Sequence, residues 1–439
     1  APTGILASRP GAGGPRTLTA QLTNAGLLDV AQNLTLNNTQ GTFTIPGTVD
    51  LAAGKVLTVT NGATELSGAS RLTGTGRLDL AGTHTLKLLE DVTLAVGPQL
   101  SFSGSVTVQG PGTLTNQGTL ELTNDTVNAA LVNQGLLLAR GTSALTGLLT
   151  TTATSTLRVR GDGSIGGANL TISQGFTNQG LLELTDQDGG WGATLGVTSG
   201  TLTNAPTGIL ASRPGAGGPR TLTGSLTNEG TLAVEQNLTL SNAGSTFTDT
   251  IGTVTIVAGK TLTLSGGSST WSGAGLTGTG RLDLAGTHTL TLADEFTLTP
   301  TGPAVTMSGT VTVQGPGTLR NEGTLELTHD TITVPLVNAG LLLARGSSSL
   351  TGPLTTTATS TLRVRGDGTL GGSALTIAQG FTNAGLIELT AQDGGFGATL
   401  TLTAGTLVNT GTLASRVGAQ GARTLTGSLT NEGTLAVEQ

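Results

Sequence analysis

A chain of 439 residues with 71 glycines, seven phenylalanines, two tryptophans, no tyrosine and no cysteine carries a formal charge of −7 at pH 7, and only 10% of it is charged. Apolar residues still reach 36%, which excludes disorder driven by charge; glycine shows no three-residue period, which excludes collagen; zero cysteine excludes a disulfide scaffold; and no apolar run approaches the ~18 residues of a membrane-spanning helix. The 19 Lys and Arg are scattered, not striped, so nucleic acid is not an expected partner.

The chain opens with APTGILASRPGAGGPRTLT (residues 1–19), which recurs unchanged at 205–223. Within it, ASRPGAGGPR (7–16, again at 211–220, and as ASRVGAQGAR at 414–423) is the longest turn-like insert. Its Pro and Gly cannot continue a strand, so it reads as an excursion. The flanking Arg9, Arg16, Arg213 and Arg220 make it a candidate contact loop for a neighbouring copy or a glycan. The plainer reading is a tolerated surface bulge.

Next comes LTNAGLL, the first of a looser repeat, apolar-x-Asn-x-Gly-x-Leu, that marks the whole chain. Its Asn and Gly are Asn24 and Gly26, Asn116 and Gly118, Asn133 and Gly135, Asn178 and Gly180, Asn228 and Gly230, Asn321 and Gly323, Asn338 and Gly340, Asn383 and Gly385, and Asn431 and Gly433. Asn-x-Gly is turn chemistry: Asn tolerates left-handed backbone angles and Gly takes positive φ without a Cβ clash. These residues are therefore expected to be structural turns.

Between the turns, apolar and polar residues alternate. In RLDLAGTHTL (77–86), Leu78 and Leu80 oppose Arg77 and Asp79; in TLRVRG, Leu157 and Val159 oppose Arg158 and Arg160; in GKTLTLSG, Leu262 and Leu264 oppose Thr261 and Thr263. This is the period of a half-buried strand. No stretch has a convincing helical period, and Gly and Thr are poor helix formers. His84 and its copy His288, both in AGTHTL, are expected to face outward.

Three motifs invite chemistry. Asp186 and Asp188 in TDQDGGWG look like a calcium-binding oxygen cluster, but the second copy reads TAQDGGFG, with Ala391 for Asp186 and Phe396 for Trp191; a Gly-rich loop is the favoured reading. Arg160-Gly161-Asp162 and Arg365-Gly366-Asp367 spell an integrin-type tripeptide, against the plain reading of a strand end and turn. The adjacent acids Glu90-Asp91 and Asp294-Glu295 would have to converge to act on a polysaccharide, and solvated turns are the expected outcome. No enzyme activity, metal or cofactor is expected.

Short strands and frequent glycine turns admit a string of sandwiches or a coil stacked on itself. With so few aromatics and a core of Leu, Val, Ala and Ile, an all-β parallel β-solenoid (β-helix) is favoured, its coils of roughly 20–24 residues spaced ~4.8 Å. The long repeats, offset by 204 or 205 residues, divide the chain into 1–204, 205–409 and the opening of a third unit at 410–439. It reads as a window on a longer array.

The LTNxGTLxL turns, the TLTLSG strands and the near-identical tandem units together resemble bacterial surface β-solenoid repeats: filamentous-haemagglutinin-like adhesins, autotransporter passengers and related giant surface proteins. The resemblance covers nearly the whole chain and implies export, an extracellular or cell-surface location, and a stalk, filament or adhesive role. Copies of itself, head-to-tail or lateral, or surface glycans and receptors are the expected partners. A glycan-binding or polysaccharide-degrading β-helix, and an ice-binding solenoid built on outward TxT ranks, are the alternatives.

Overall fold

A computed structural model describes residues 3–14, 16–38, 40–249, 251–272 and 275–438. Among them every regular element is a β-strand, and every strand pairing is parallel, with antiparallel bridging confined to Asp162–Gly166 and Asp367–Gly371. No helix among the described residues is long and apolar enough to cross a membrane. The fold is an all-β parallel β-solenoid. Its contacts divide into two units, Ala1–Ser225 and Leu226–Gln439.

Each coil has three sides. In the first unit, Arg77–Leu88 supplies two of them, residues 77–81 and 84–88, with a register shift at the corner between Ala81 and His84; Val92–Leu94 supplies the third. The chain then climbs, so that strand N–H and C=O groups bond to the coils below and above.

The period-two pattern turns this climb into columns. On the first side, Leu34, Leu57, Leu78, Leu100, Leu120, Leu137, Leu157, Leu182 and Leu210 lie in register on successive coils, all buried. The second unit repeats the column with Leu238, Leu262, Leu282, Val305, Leu325, Leu342, Leu362 and Ile387. A shift by one residue would turn every one of these side chains to solvent, so burial fixes the register. Among the described residues, the second unit alone holds an aromatic stack inside its bore: Trp271 meets Phe247 and Phe296 edge-to-face, with centroids 5.3 and 5.6 Å away.

Coil length varies. The rung from Asn116 to Asn133 takes 17 residues, and that from Asn178 to Asn204 takes 26. The extra residues lie mainly in corner loops, so the strands stay in register while the corners grow.

The two histidines are not outward. His84 and His288 are buried, and burial lowers the pKa of both against the opposing effect of a backbone hydrogen bond. His84 lies two residues before Leu86, and a spacing of two puts both on one face. His84 Nε2 meets Thr64 Oγ1 at 3.0 Å, and His288 Nε2 meets Ser269 Oγ at 2.8 Å, each on the preceding coil.

Candidate functional site

The repeated Asn and Gly sit at strand ends, with bends following at the x-Gly positions, but not for the backbone reason given above. None of these residues has positive φ. All of these Asn side chains except the exposed Asn431 are buried in the bore, where several form short ladders. Asn116 Nδ2 donates to Asn133 Oδ1 at 2.8 Å, Asn178 to Asn204 at 2.9 Å, Asn321 to Asn338 at 2.7 Å and Asn383 to Asn409 at 2.8 Å. The same amides bond backbone carbonyls on the next coil, Leu136 O for Asn116 and Leu341 O for Asn321. The Gly is needed for close approach: a Cβ on Gly135 would lie 2.3 Å from Gly118 O, and one on Gly340 would lie 2.2 Å from Gly323 O.

The four loop arginines separate. Arg9 is exposed and pairs with Asp29 at 2.9 Å. Arg16 bonds the Gly14 carbonyl and, at 3.4 Å, that of Arg9. Arg213 pairs with Glu183 at 3.4 Å. Arg220 is not at the surface at all. It is buried against Asp186, with Nη2 2.5 Å from Oδ1, and also donates to Arg213 O at 3.1 Å. A contact role for the loop therefore excludes Arg220, and Asp186 is committed to that ion pair and not to a calcium cluster. Asp188 Oδ1 accepts the Gly163 N–H.

The Arg-Gly-Asp tripeptides do not present their carboxylates either. Asp162 is buried and pairs with Arg140 Nε at 2.6 Å; Asp367 does the same with Arg345. The Arg345 guanidinium holds the Asp367 carboxyl down at about 2 against burial, with help from the Leu370 and Thr369 N–H groups. Of the acid pairs, Glu90 accepts Gly68 N–H at 2.9 Å and Asp91 accepts Thr113 N–H at 2.8 Å, so both serve the turn between neighbouring coils.

What the residues do build is a groove along the first side of the second unit. It encloses about 800 Å³, the size of a small-ligand cleft. Its floor carries Asp283, which accepts Thr306 Oγ1 at 2.9 Å and Ser308 Oγ at 3.0 Å, and Glu326, which pairs with Arg345 Nη1 at 2.5 Å. Its overhang is the turn at Thr369 and Leu370. Both N–H groups of that turn bond Asp367 Oδ1, at 3.0 and 3.1 Å, and the Asp367–Gly371 bridge closes it. Arg345 thus ties overhang to floor.

At the other end of the groove stand Lys260 and Arg281. They are on consecutive coils, joined by the Arg281 N–H to Lys260 C=O bond of 2.9 Å. The first unit carries the same constellation. Asp79 accepts Ser101 and Ser103 hydroxyls at 2.9 and 2.7 Å, Arg140 bridges Glu121 and Asp162 at 2.5 and 2.6 Å, and Arg77 N–H bonds Lys55 C=O at 2.9 Å.

Sequence reasoning missed this set. One signal was present: two of the chain's three lysines, Lys55 and Lys260, occupy equivalent places in the two copies. Compared with known proteins, the chain matches no family model and no curated relative.

Proposed function

We propose that this chain is a structural segment of an exported, adhesin-like bacterial surface protein, in which each solenoid unit acts as a stiff spacer. The observation that carries the reading is the unbroken in-register aliphatic column of each unit, with parallel strand ladders on every side. Pulling along such a stack loads many backbone hydrogen bonds and buried leucines together, while each coil contacts only its neighbours. Spacer length is then set by the number of copies, which fits a sequence repeated almost word for word. The resemblance to surface solenoids supports export.

Two measurements test it. Electron microscopy of concatemers should show length rising by a constant increment per added unit; flexible beads would sink the spacer role. Protease shaving of intact source cells, followed by blotting for this chain, should remove it; full protection inside the cell would sink the surface location.

A second reading rests on a different face. On the second side of the second unit, Ser268, Thr289, Thr312, Thr331, Ser349, Thr376, Thr401 and Thr426 form an unbroken rank of outward hydroxyls in register. Adjacent members are spaced by the strand repeat of about 4.8 Å, a regular array able to order water as ice. Thermal hysteresis at millimolar protein, lost on Thr331→Arg, is its test, and freezing-point behaviour no different from a control protein would end it.

A further inference from the structure

We infer that the groove on the first side of the second unit, and the matching constellation of the first, bind a sparsely acidic oligosaccharide, its anionic group held by the Lys–Arg pair and its hydroxyls by the polar floor. This does not depend on the spacer role.

The first ground is charge without a partner. The guanidinium groups of Arg77 and Arg281 and the ammonium group of Lys55 form no hydrogen bond or ion pair among the described residues, and Lys260 Nζ bonds only the neutral Gln236 amide, at 2.6 Å. Elsewhere on this side Arg140, Arg158, Arg345 and Arg363 each meet a carboxylate within 2.6 Å, while Arg160 and Arg365, on the same strands, keep a buried Nε without a hydrogen-bond partner among the described residues and so are not open to an outside ligand as Arg77 and Arg281 are. Both arginines of the pair are exposed. Two cations on consecutive coils repel one another, and an external anion relieves that repulsion.

The second ground is what lies further along. Past Arg281 the groove turns acidic and hydroxylated, with Asp283, Ser308, Glu326 and Thr328. Asp283 is oriented by two hydroxyl donors, and one Glu326 oxygen is engaged by Arg345, which leaves acceptor capacity facing the groove. A densely charged polyanion, with one phosphate or sulfate per residue, would meet these carboxylates and be repelled. A ligand with one anion at one end and neutral hydroxyls along the rest meets attraction at both. That pattern is a short glycan bearing a single uronate, sialate or sulfate group. The Arg345–Asp367 pair holds the overhang in place before binding, so little ordering is left to oppose it.

The third ground is duplication. The cation pair, the hydroxyl-held Asp and the Arg-bridged Glu are all present in both units, although other features diverge, such as Asp186 to Ala391 and Trp191 to Phe396.

The test is titration of the full chain against an array of oligosaccharides, each bearing one carboxylate or sulfate, beside its neutral parent and a single-stranded oligonucleotide. At least one acidic sugar should bind about tenfold more tightly than its parent, and raising salt from about 50 to about 300 mM should weaken it several-fold. The variant with Lys55, Arg77, Lys260 and Arg281 all changed to alanine should lose about tenfold or more in affinity, with at most a small change in melting temperature because both arginines are exposed and Lys260 holds only the Gln236 amide; Arg77→Lys with Arg281→Lys should keep most of the affinity. Comparing carboxylated with sulfated members identifies the anion. No binding by any acidic member at millimolar concentration overturns the inference. So does equal binding of the neutral parents or of the oligonucleotide, or an alanine variant that binds like the wild type.

Discussion

Arg220 Nη2 lies 2.5 Å from Asp186 Oδ1, and neither side chain is exposed to solvent. The two residues are 34 apart in sequence, yet the climb of one coil brings them together at the corner where the ASRPGAGGPR loop leaves the stack. Arg220 also donates to the carbonyls of Gly218 and Arg213, so the pair closes the loop from beneath. Removing one member of such a pair strands the other in low dielectric. Asp186→Ala should therefore cost about 3–5 kcal/mol, read as a lower melting temperature and as faster amide exchange across residues 211–220. The double variant Asp186→Ala with Arg220→Met should recover most of the loss. A single variant that melts like the wild type would show that the pair contributes nothing.

The asparagine ladders make a second prediction. Asn178 Nδ2 donates to Asn204 Oδ1, Gly180 O and Ile209 O, at 2.9, 3.1 and 3.2 Å. Asn178→Asp keeps the shape but replaces that donor with an acceptor facing three acceptors. At neutral pH the carboxylate is buried among oxygens, and at least the 1–3 kcal/mol of an unmade buried hydrogen bond is lost. Repulsion also raises the carboxyl's folded pKa, so the loss should shrink as pH falls and the acid protonates. Melting curves at pH 7 and pH 4 measure both effects; equal destabilisation at the two values would refute the electrostatic account.

The contrast between what was readable and what was not follows from this geometry. Leu157, Val159 and Arg158 could be assigned to faces because alternation is local. The parallel solenoid could be inferred because small aliphatic residues and glycine turns fit narrow coils. Lys55 beside Arg77, Asp186 beside Arg220 and Arg140 between Glu121 and Asp162 could not, because those contacts depend on how many residues each coil takes. That number varies from rung to rung. His84 is a different case: its spacing of two from Leu86 was enough to place it inward, and the error lay in reading the parity. The Asn-x-Gly repeat was visible as a bend, while its cause, a side-chain amide bonding the next coil and a backbone too close for a Cβ, belongs to stacking and not to local φ preference.

The glycine argument can be tested by position. A methyl on Gly135 would collide with the Gly118 carbonyl, whereas one on Gly14 meets nothing within 4 Å, and neither residue has positive φ. Gly135→Ala should thus push adjacent coils apart and cost about 1–3 kcal/mol as an overpacked site. Gly14→Ala should be neutral or slightly stabilising, since it only reduces the freedom of the unfolded chain. Thermal melts of the two variants should differ in sign or nearly so; equal shifts would mean that coil spacing is not what selects glycine.

Asp249 offers the clearest pH dependence. It is buried on the coil between Asn228 and Trp271, at a place where the first unit has Ile45. Its Oδ1 accepts Asn228 Nδ2 at 3.3 Å, but Asp249 Oδ2 and Trp271 Nε1 are buried with no hydrogen-bond partner. Burial raises the Asp249 carboxyl to about 6, against the opposing pull of the Asn228 amide and the Gly252 N–H. A raised folded pKa means that the folded state holds its proton more tightly than the unfolded chain. The associated stability is present below the ordinary carboxylate value of about 4 and is lost as pH rises through about 6. Asp249→Asn removes the titration and extends the amide ladder by one rung. The variant should exceed the wild type by on the order of 2–3 kcal/mol above pH 7, and the advantage should fade between pH 6 and pH 4. Parallel melting series across that range decide the matter: a gain independent of pH would assign the effect to packing around Trp271, and no gain at pH 7 would mean that the carboxylate is ionised there without penalty.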